Sequence, residues 1–197
     1  GPNHAEEIIA GMASATVIAS TNKTYAKELQ SLFSSDIFRV YTSDDIIGVQ
    51  VGGAIKNIIA IASGLCVGLK LGDNTQAALV SRGMNEILNL RSIYNLDNKT
   101  LYGLSGLGDL IATCYSLHSR NRQLGILMAN GHSLEEAKDN IGMISEGINT
   151  CKILHQISNK HNLEMPICNE VYKILFKQSN PKDSINKLMT RSLKVEN

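Results

Sequence analysis

The chain has 197 residues, 43% of them apolar and 19% charged, with a formal net charge of +1. That length and apolar share suit one domain, or one and a half, around a real core, and they exclude a disordered tail. A near-neutral balance without a Lys/Arg run excludes a general nucleic-acid or membrane-surface binder, and with 5% aromatics and no Trp no stacking platform for bases or sugars is expected.

The opening Gly1-Pro2-Asn3-His4 reads as mid-chain, so the sequence is expected to be part of a longer one. Ala15-Thr16-Val17-Ile18-Ala19 is β-rich and runs into the turn-like Ser20-Thr21-Asn22. Thr24 is expected to cap a helix whose apolar face is Ala26, Leu29, Leu32 and Phe33, and Ile37–Tyr41 reads as a second strand. These pieces form a β-α-β unit with too little sheet to stand alone.

From Asp44 onward helical signals dominate. A long apolar helix is expected from about Asp45 to Gly68; its most apolar run, Ile58–Leu69, is shorter than the ~20 residues of a membrane span, so it reads as a core helix. Asp73 with Gln76 resembles a capping box for a helix reaching about Tyr94, and Ser133 with Glu136 repeats that pattern after a stop at Gly131. Asn180-Pro181 reads as a cap followed by the proline favoured at a first helical position. Further helices fit Ser119–Ala129, Glu146–Lys160 and Pro166–Lys177. The expected architecture is mainly α, a compact helical domain carrying a piece of sheet that belongs to something else.

Cys66, Cys114, Cys151 and Cys168 are widely spaced, with no Cys-x-x-Cys pair, and read as buried reduced thiols. With no signal-peptide pattern they point to a cytoplasmic setting. His118, His132, His155 and His161 lack ligand spacing, so no metal is assigned.

Four short motifs carry the chemistry. In Gly52-Gly53-Ala54-Ile55-Lys56-Asn57, a Lys and an Asn lie inside the most apolar helix. An interior ammonium is costly unless paired, so Lys56 is either a functional acid/base or a snorkelling surface lysine. In Gly103-Leu104-Ser105-Gly106-Leu107-Gly108-Asp109, the glycine order is wrong for a dinucleotide loop and an Asp at a helix start would repel a pyrophosphate. Asp109 is therefore an N-cap or a carboxylate orienting a cationic group, with Thr113 one turn on. In Ser119-Arg120-Asn121-Arg122, Ser119 reads as an N-cap that puts Arg120 and Asn121 in a first helical turn, a good seat for a phosphate, while Arg122 is expected to face solvent. Ile144-Ser145-Glu146-Gly147 is weak alone, since Glu146 could be a simple first-turn acid.

Taken in order, Gly1-Pro2-Asn3-His4-Ala5, Phe38–Asp45, Gly52–Asn57, Gly106–Leu110, Thr113-Cys114, Ser119–Arg122 and Glu146-Gly147 closely resemble the bacterial NAD(P)-dependent sn-glycerol-3-phosphate dehydrogenases. The resemblance covers essentially the whole chain but only the second part of that enzyme; the Rossmann half with its G-x-G-x-x-G has no counterpart here. It implies a 6-phosphogluconate-dehydrogenase-like C-terminal helical domain at 44–197, preceded at 1–43 by a β-α-β remnant of the nucleotide-binding domain. It implies Lys56 as catalytic acid/base for glycerol 3-phosphate and dihydroxyacetone phosphate, supported by Asn57 and Asp109. Substrate contacts would come from Gly1, Asn3, Lys56, Asp109, Thr113, Ser119, Arg120 and Asn121, and cofactor contacts, to NAD or NADP, from Ala5, Arg120, Ile144 and Glu146. Asn3 stands where the family usually has Ser or Thr, and His4 where it has Phe. A homodimer is implied, and little activity is expected without the cofactor half. Two alternatives are a 3-hydroxyisobutyrate- or 6-phosphogluconate-type dehydrogenase, which lacks a counterpart of Ser119-Arg120-Asn121, and a non-catalytic helical interaction module.

Overall fold

The computed structural model describes residues 1–142, 145–193 and 195. After a short helix α1 (Ala5–Ile9), strand β1 (Ser14–Ala19), helix α2 (Lys23–Phe33) and strand β2 (Phe38–Ser43) form the expected β-α-β unit. The strands are parallel, in register from Ser14 opposite Phe38 to Ala19 opposite Ser43. This pairing carries β2 past Tyr41. The cap of α2 is Asn22 rather than Thr24: the Asn22 side chain accepts from the Tyr25 N–H at 3.0 Å, which places Thr24 inside the first turn. Gln30 of α2 donates to the Val40 carbonyl at 2.8 Å and holds the crossover on the sheet.

The remainder is helical: α3 (Ile46–Gly68), α4 (Asp73–Asn89), α5 (Asn98–Tyr102), a π-helical turn (Leu104–Gly108), α6 (Asp109–Tyr115), α7 (Arg120–Ala129), α8 (Leu134–Ile141), α9 (Glu146–His161), α10 (Pro166–Lys177) and α11 (Pro181–Met189). Asp45 caps α3 through the Gly48 N–H at 2.8 Å, and its second oxygen accepts from the Asp97 N–H at 2.9 Å. The Ser133–Glu136 capping box and the Asn180 cap form as read from the sequence. Asp73 does not cap α4. Gly72, at φ +81°, makes the turn instead, and Gln76 is drawn to Ser63 at 3.4 Å. α4 ends at Asn89, and a single 3-10 turn, Leu90–Ser92, continues towards Tyr94.

Helix α3 is the axis of the domain. Ile58, Ile59, Ala60 and Ile61 are fully buried, as expected of a helix apolar on every side. Among the described residues it is the one helix long and apolar enough to cross a bilayer, but its apolar surface is covered by α4, α6, α7, α9 and α10. Its tightest neighbour is α7. A methyl group on Gly64 would lie 2.0 Å from the Arg122 carbonyl oxygen, and one on Gly125 would lie 2.1 Å from that of Ile61. Two backbones are therefore in direct contact, which only glycine on both sides allows.

All four cysteines are free and buried. Burial pushes the thiol of Cys66 up to about 11 and those of Cys114 and Cys151 up to about 12, so they are poor nucleophiles.

Helix α10 is capped from a distance. Pro166 has no N–H to offer, and the next two donors, Ile167 and Cys168, bond to the two carboxyl oxygens of Glu86 on α4 at 2.5 and 3.0 Å. These N–H groups favour the ionised acid, but burial outweighs them and raises Glu86 from 4.5 to about 7. The folded protein therefore holds this proton to higher pH than the unfolded chain. The stability contributed is complete below about pH 4.5 and is lost as pH rises through about 7. Urea unfolding is expected to show a loss of up to ~1.4 kcal/mol per pH unit across that window, and Glu86→Gln to flatten the slope.

Candidate active site

The site is built on the N-terminal half of α3. Lys56 is half-buried there, and its Nζ donates to Asp109 Oδ1 at 2.6 Å. Asp109 is placed for this by the π-helical turn. Gly108 already has helical backbone angles (φ −60°, ψ −46°), so Asp109 is the first residue of α6 rather than its cap, and its carboxylate turns inward to the lysine. Of the two readings open for Asp109, the N-cap is not what forms; the carboxylate pairs with Lys56 instead.

Both oxygens of Asp109 are engaged. The nitrogen of Gly1 donates to Oδ2 at 3.1 Å. Thr113, one turn along α6, donates its hydroxyl to the Asp109 carbonyl at 2.7 Å and stands 3.4 Å from Oδ1. Asp109 is only 5% exposed, so the pair has one buried member and one, Lys56, that reaches the surface. A half-buried ammonium held by a buried carboxylate has further N–H groups to offer an approaching oxygen.

Beside this pair lies the start of α7. Ser119 is its N-cap, accepting from the Arg122 N–H at 3.3 Å. Arg120 is exposed in the first turn, where the leading N–H groups of a helix have no intrahelical partner. A guanidinium next to such groups is suited to a phosphate. Asn121 turns inward: its Nδ2 donates to Asn57 Oδ1 on α3 at 2.9 Å. Asn57 in turn donates to Glu146 Oε2, at the start of α9, at 3.3 Å and contacts the Gly53 carbonyl at 3.4 Å. One buried line of amides therefore links α7, α3 and α9.

Not every residue expected here joins the cluster. The Asn3 side chain donates to Thr16 Oγ1 at 2.9 Å, tying the first residues to β1. Ala5 is exposed at the start of α1. Ile144 lies outside the described residues. Arg122 does not simply face solvent: it is half-buried, its Nε is shielded without a hydrogen-bond partner among the described residues, and its charge lies close enough to Cys114 to oppose that thiol's rise. Of the Gly52-Gly53 pair, only Gly52 is at a close approach, 2.7 Å from the Ser105 carbonyl for an added methyl. Sequence reasoning assigned no role to Ser145 or Gly147, both buried against Asn121. The one signal for them was their place on either side of Glu146 at a helix start.

A carboxylate-held lysine on a buried helical core, beside a helix start that carries an exposed arginine, is an arrangement able to exchange a proton and to seat an anion. Residues 45–186 match the family described as NAD-dependent glycerol-3-phosphate dehydrogenase C-terminus. A glycerol-3-phosphate dehydrogenase (NAD(P)+) of Clostridium botulinum is 47% identical over 196 residues, covering 100% of this chain and 59% of that protein. One from Fusobacterium nucleatum is 46% identical, with 100% of this chain and 58% of that protein covered. The crystal structure of glycerol-3-phosphate dehydrogenase from Coxiella burnetii superimposes with a TM-score of 0.94 at 40% identity, over 97% of this chain and 59% of that one. The chain belongs to the NAD-dependent glycerol-3-phosphate dehydrogenase C-terminal family. It spans 59% of the length of the first of these relatives.

The Lys56–Asp109 pair makes a direct prediction. Asp109→Asn keeps the shape and the Thr113 contact but leaves the ammonium without its counter-charge. A loss of about 2 kcal/mol in urea unfolding is expected, against less than about 0.5 kcal/mol for breaking the exposed Lys138–Glu135 pair with Glu135→Gln.

Proposed function

We propose that this chain supplies the proton-transfer and phosphate-binding groups of an NAD(P)-dependent sn-glycerol-3-phosphate dehydrogenase, which interconverts sn-glycerol 3-phosphate and dihydroxyacetone phosphate. The observation that carries the reading is the 2.6 Å contact of Lys56 with a buried Asp109, set beside the first turn of α7.

In the reducing direction the phosphate docks at the start of α7, on Arg120 and the leading N–H groups. The three-carbon ketone is then laid towards α3, where Lys56 Nζ donates a hydrogen bond to the C2 oxygen and passes it a proton as negative charge develops there. In the oxidising direction the same amine takes the hydroxyl proton. Asp109 keeps the lysine aimed and offsets its charge, and Thr113 keeps Asp109 aimed. When bound, the nicotinamide of NAD or NADP supplies or accepts the hydride at C2.

The donor set suits one side of such a cofactor, with an exposed guanidinium at Arg120 for its phosphates and the Glu146 carboxylate for hydroxyl or amide donors. Ala5 and Ile144 join them by the sequence resemblance. In this reading residues 1–43 are the tail of a nucleotide-binding unit and 44–197 the catalytic helical domain. A homodimer and a cytoplasmic setting belong to the same proposal.

The test uses a chain that carries both parts and follows NADH oxidation with dihydroxyacetone phosphate. Lys56→Ala is expected to abolish turnover, by about 10²–10⁴-fold for a lost general acid. Arg120→Ala is expected to raise the KM for dihydroxyacetone phosphate about tenfold or more through a lost charge-assisted contact. Full NADH oxidation by the Lys56→Ala variant would sink the mechanism. Neutral behaviour of both variants would favour a non-catalytic helical module.

A further inference from the structure

The line of amides between α7, α3 and α9 has a direction, and one end sets it. The Gly147 N–H can only donate, so the Asn121 atom 3.0 Å away is its oxygen, Oδ1. The other terminal atom of Asn121 is then a nitrogen, which requires Asn57 to receive it with Oδ1 at 2.9 Å. Asn57 is thereby turned so that its Nδ2 faces Glu146 Oε2 at 3.3 Å. Reversing either amide would set donor against donor or oxygen against carboxylate.

Ser145 adds the second clamp. Its hydroxyl donates to the same Asn121 Oδ1, and the residue is 3% exposed. Ser145 is the N-cap residue of α9, where a serine ordinarily accepts from the N–H groups of its own helix. Here it makes no such cap, and its hydroxyl is directed to another helix. The fit is close: a methyl on Gly147 would meet Asn121 Oδ1 at 2.6 Å and the Asn57 carbonyl at 2.9 Å. With Oδ1 holding two donors and one Nδ2 hydrogen on Asn57, Asn121 keeps a single side-chain N–H for a substrate oxygen.

We propose that Ser145 is a positioning residue for cofactor binding, holding Asn121 so that Asn57 presents its N–H to Glu146 and sets that carboxylate on the cofactor side of the site. The proposal rests on the functional reading above, in which Glu146 faces NAD(P) and Arg120 with Asn121 faces the substrate phosphate. It couples the two seats through Asn121, whose oxygen the Ser145 hydroxyl and the Gly147 N–H hold together.

The experiment measures NADH affinity directly, by the change in its fluorescence on binding to the complete enzyme, alongside steady-state kinetics. Ser145→Ala is expected to raise the dissociation constant and KM for NADH about five- to tenfold, the worth of one buried hydrogen bond, with kcat changed by less than about threefold. Glu146→Gln is expected to weaken NADH as well. The double variant is expected to bind no more weakly than the weaker single one, because both changes cut the same line. NADH affinity unchanged in Ser145→Ala, or effects that multiply in the double variant, would overturn the proposal. Failure of the unaltered enzyme to oxidise NADH with dihydroxyacetone phosphate would instead overturn the functional reading on which it rests.

Discussion

The near-contact of two helix backbones, α3 against α7 at Gly64 and Gly125, is the constraint on which the rest depends. Helices normally stand 8–10 Å apart because side chains separate them. Where both sides are glycine, the axes close in and the crossing is set by backbone atoms, which cannot repack. The consequence is felt two turns towards the N-terminus of α3, where Asn57 meets Asn121 and where Lys56 points to the surface beside the first turn of α7. The placement of Lys56 relative to the start of α7, the proposed proton donor and phosphate seat, is thus inherited from packing contacts with no chemistry of their own.

Around that crossing the polar groups divide by burial. Asp109 and Thr113 are buried and occupied with each other, with Gly1 and with Lys56, whereas Lys56 and Arg120 reach the surface. The buried carboxylate holds one end of the ion pair in a single place, and the lysine keeps the freedom to meet an incoming oxygen. Glu86 shows what a buried acid does when backbone N–H groups are its hydrogen-bond partners and the charge of Arg191 is only a lesser influence. It caps α10 with two backbone N–H groups, and burial raises its affinity for a proton.

Much of this arrangement could be read from residue order. Caps such as Ser119, Ser133 and Asn180 announce themselves because a short polar side chain before an apolar period has one good use. The buried α3 followed from its long apolar run and the β-α-β unit from two β-rich segments flanking a helical period, while Lys56 and Asp109 stood out as charged residues in an apolar helix and at a helix start. The misreadings have a common physical cause. Thr24 and Asp73 were chosen on spacing, but Asn22 and the positive-φ Gly72 lie earlier in the chain and start their helices first. The π-helical turn at Leu104–Gly108 is hidden among glycines that look like a loop. Ser145, Gly147 and Glu86 act on helices far away in sequence, through contacts no local pattern encodes.

The central claim is that one crossing of α3 and α7 places the proton donor and the phosphate seat on a single substrate. The most direct measurement is a crystal structure of the complete enzyme with dihydroxyacetone phosphate bound. The account predicts the phosphate on the leading N–H groups of α7 beside Arg120, and the C2 oxygen within about 3 Å of Lys56 Nζ. A phosphate held elsewhere, or a C2 oxygen out of hydrogen-bond reach of Lys56, would contradict it.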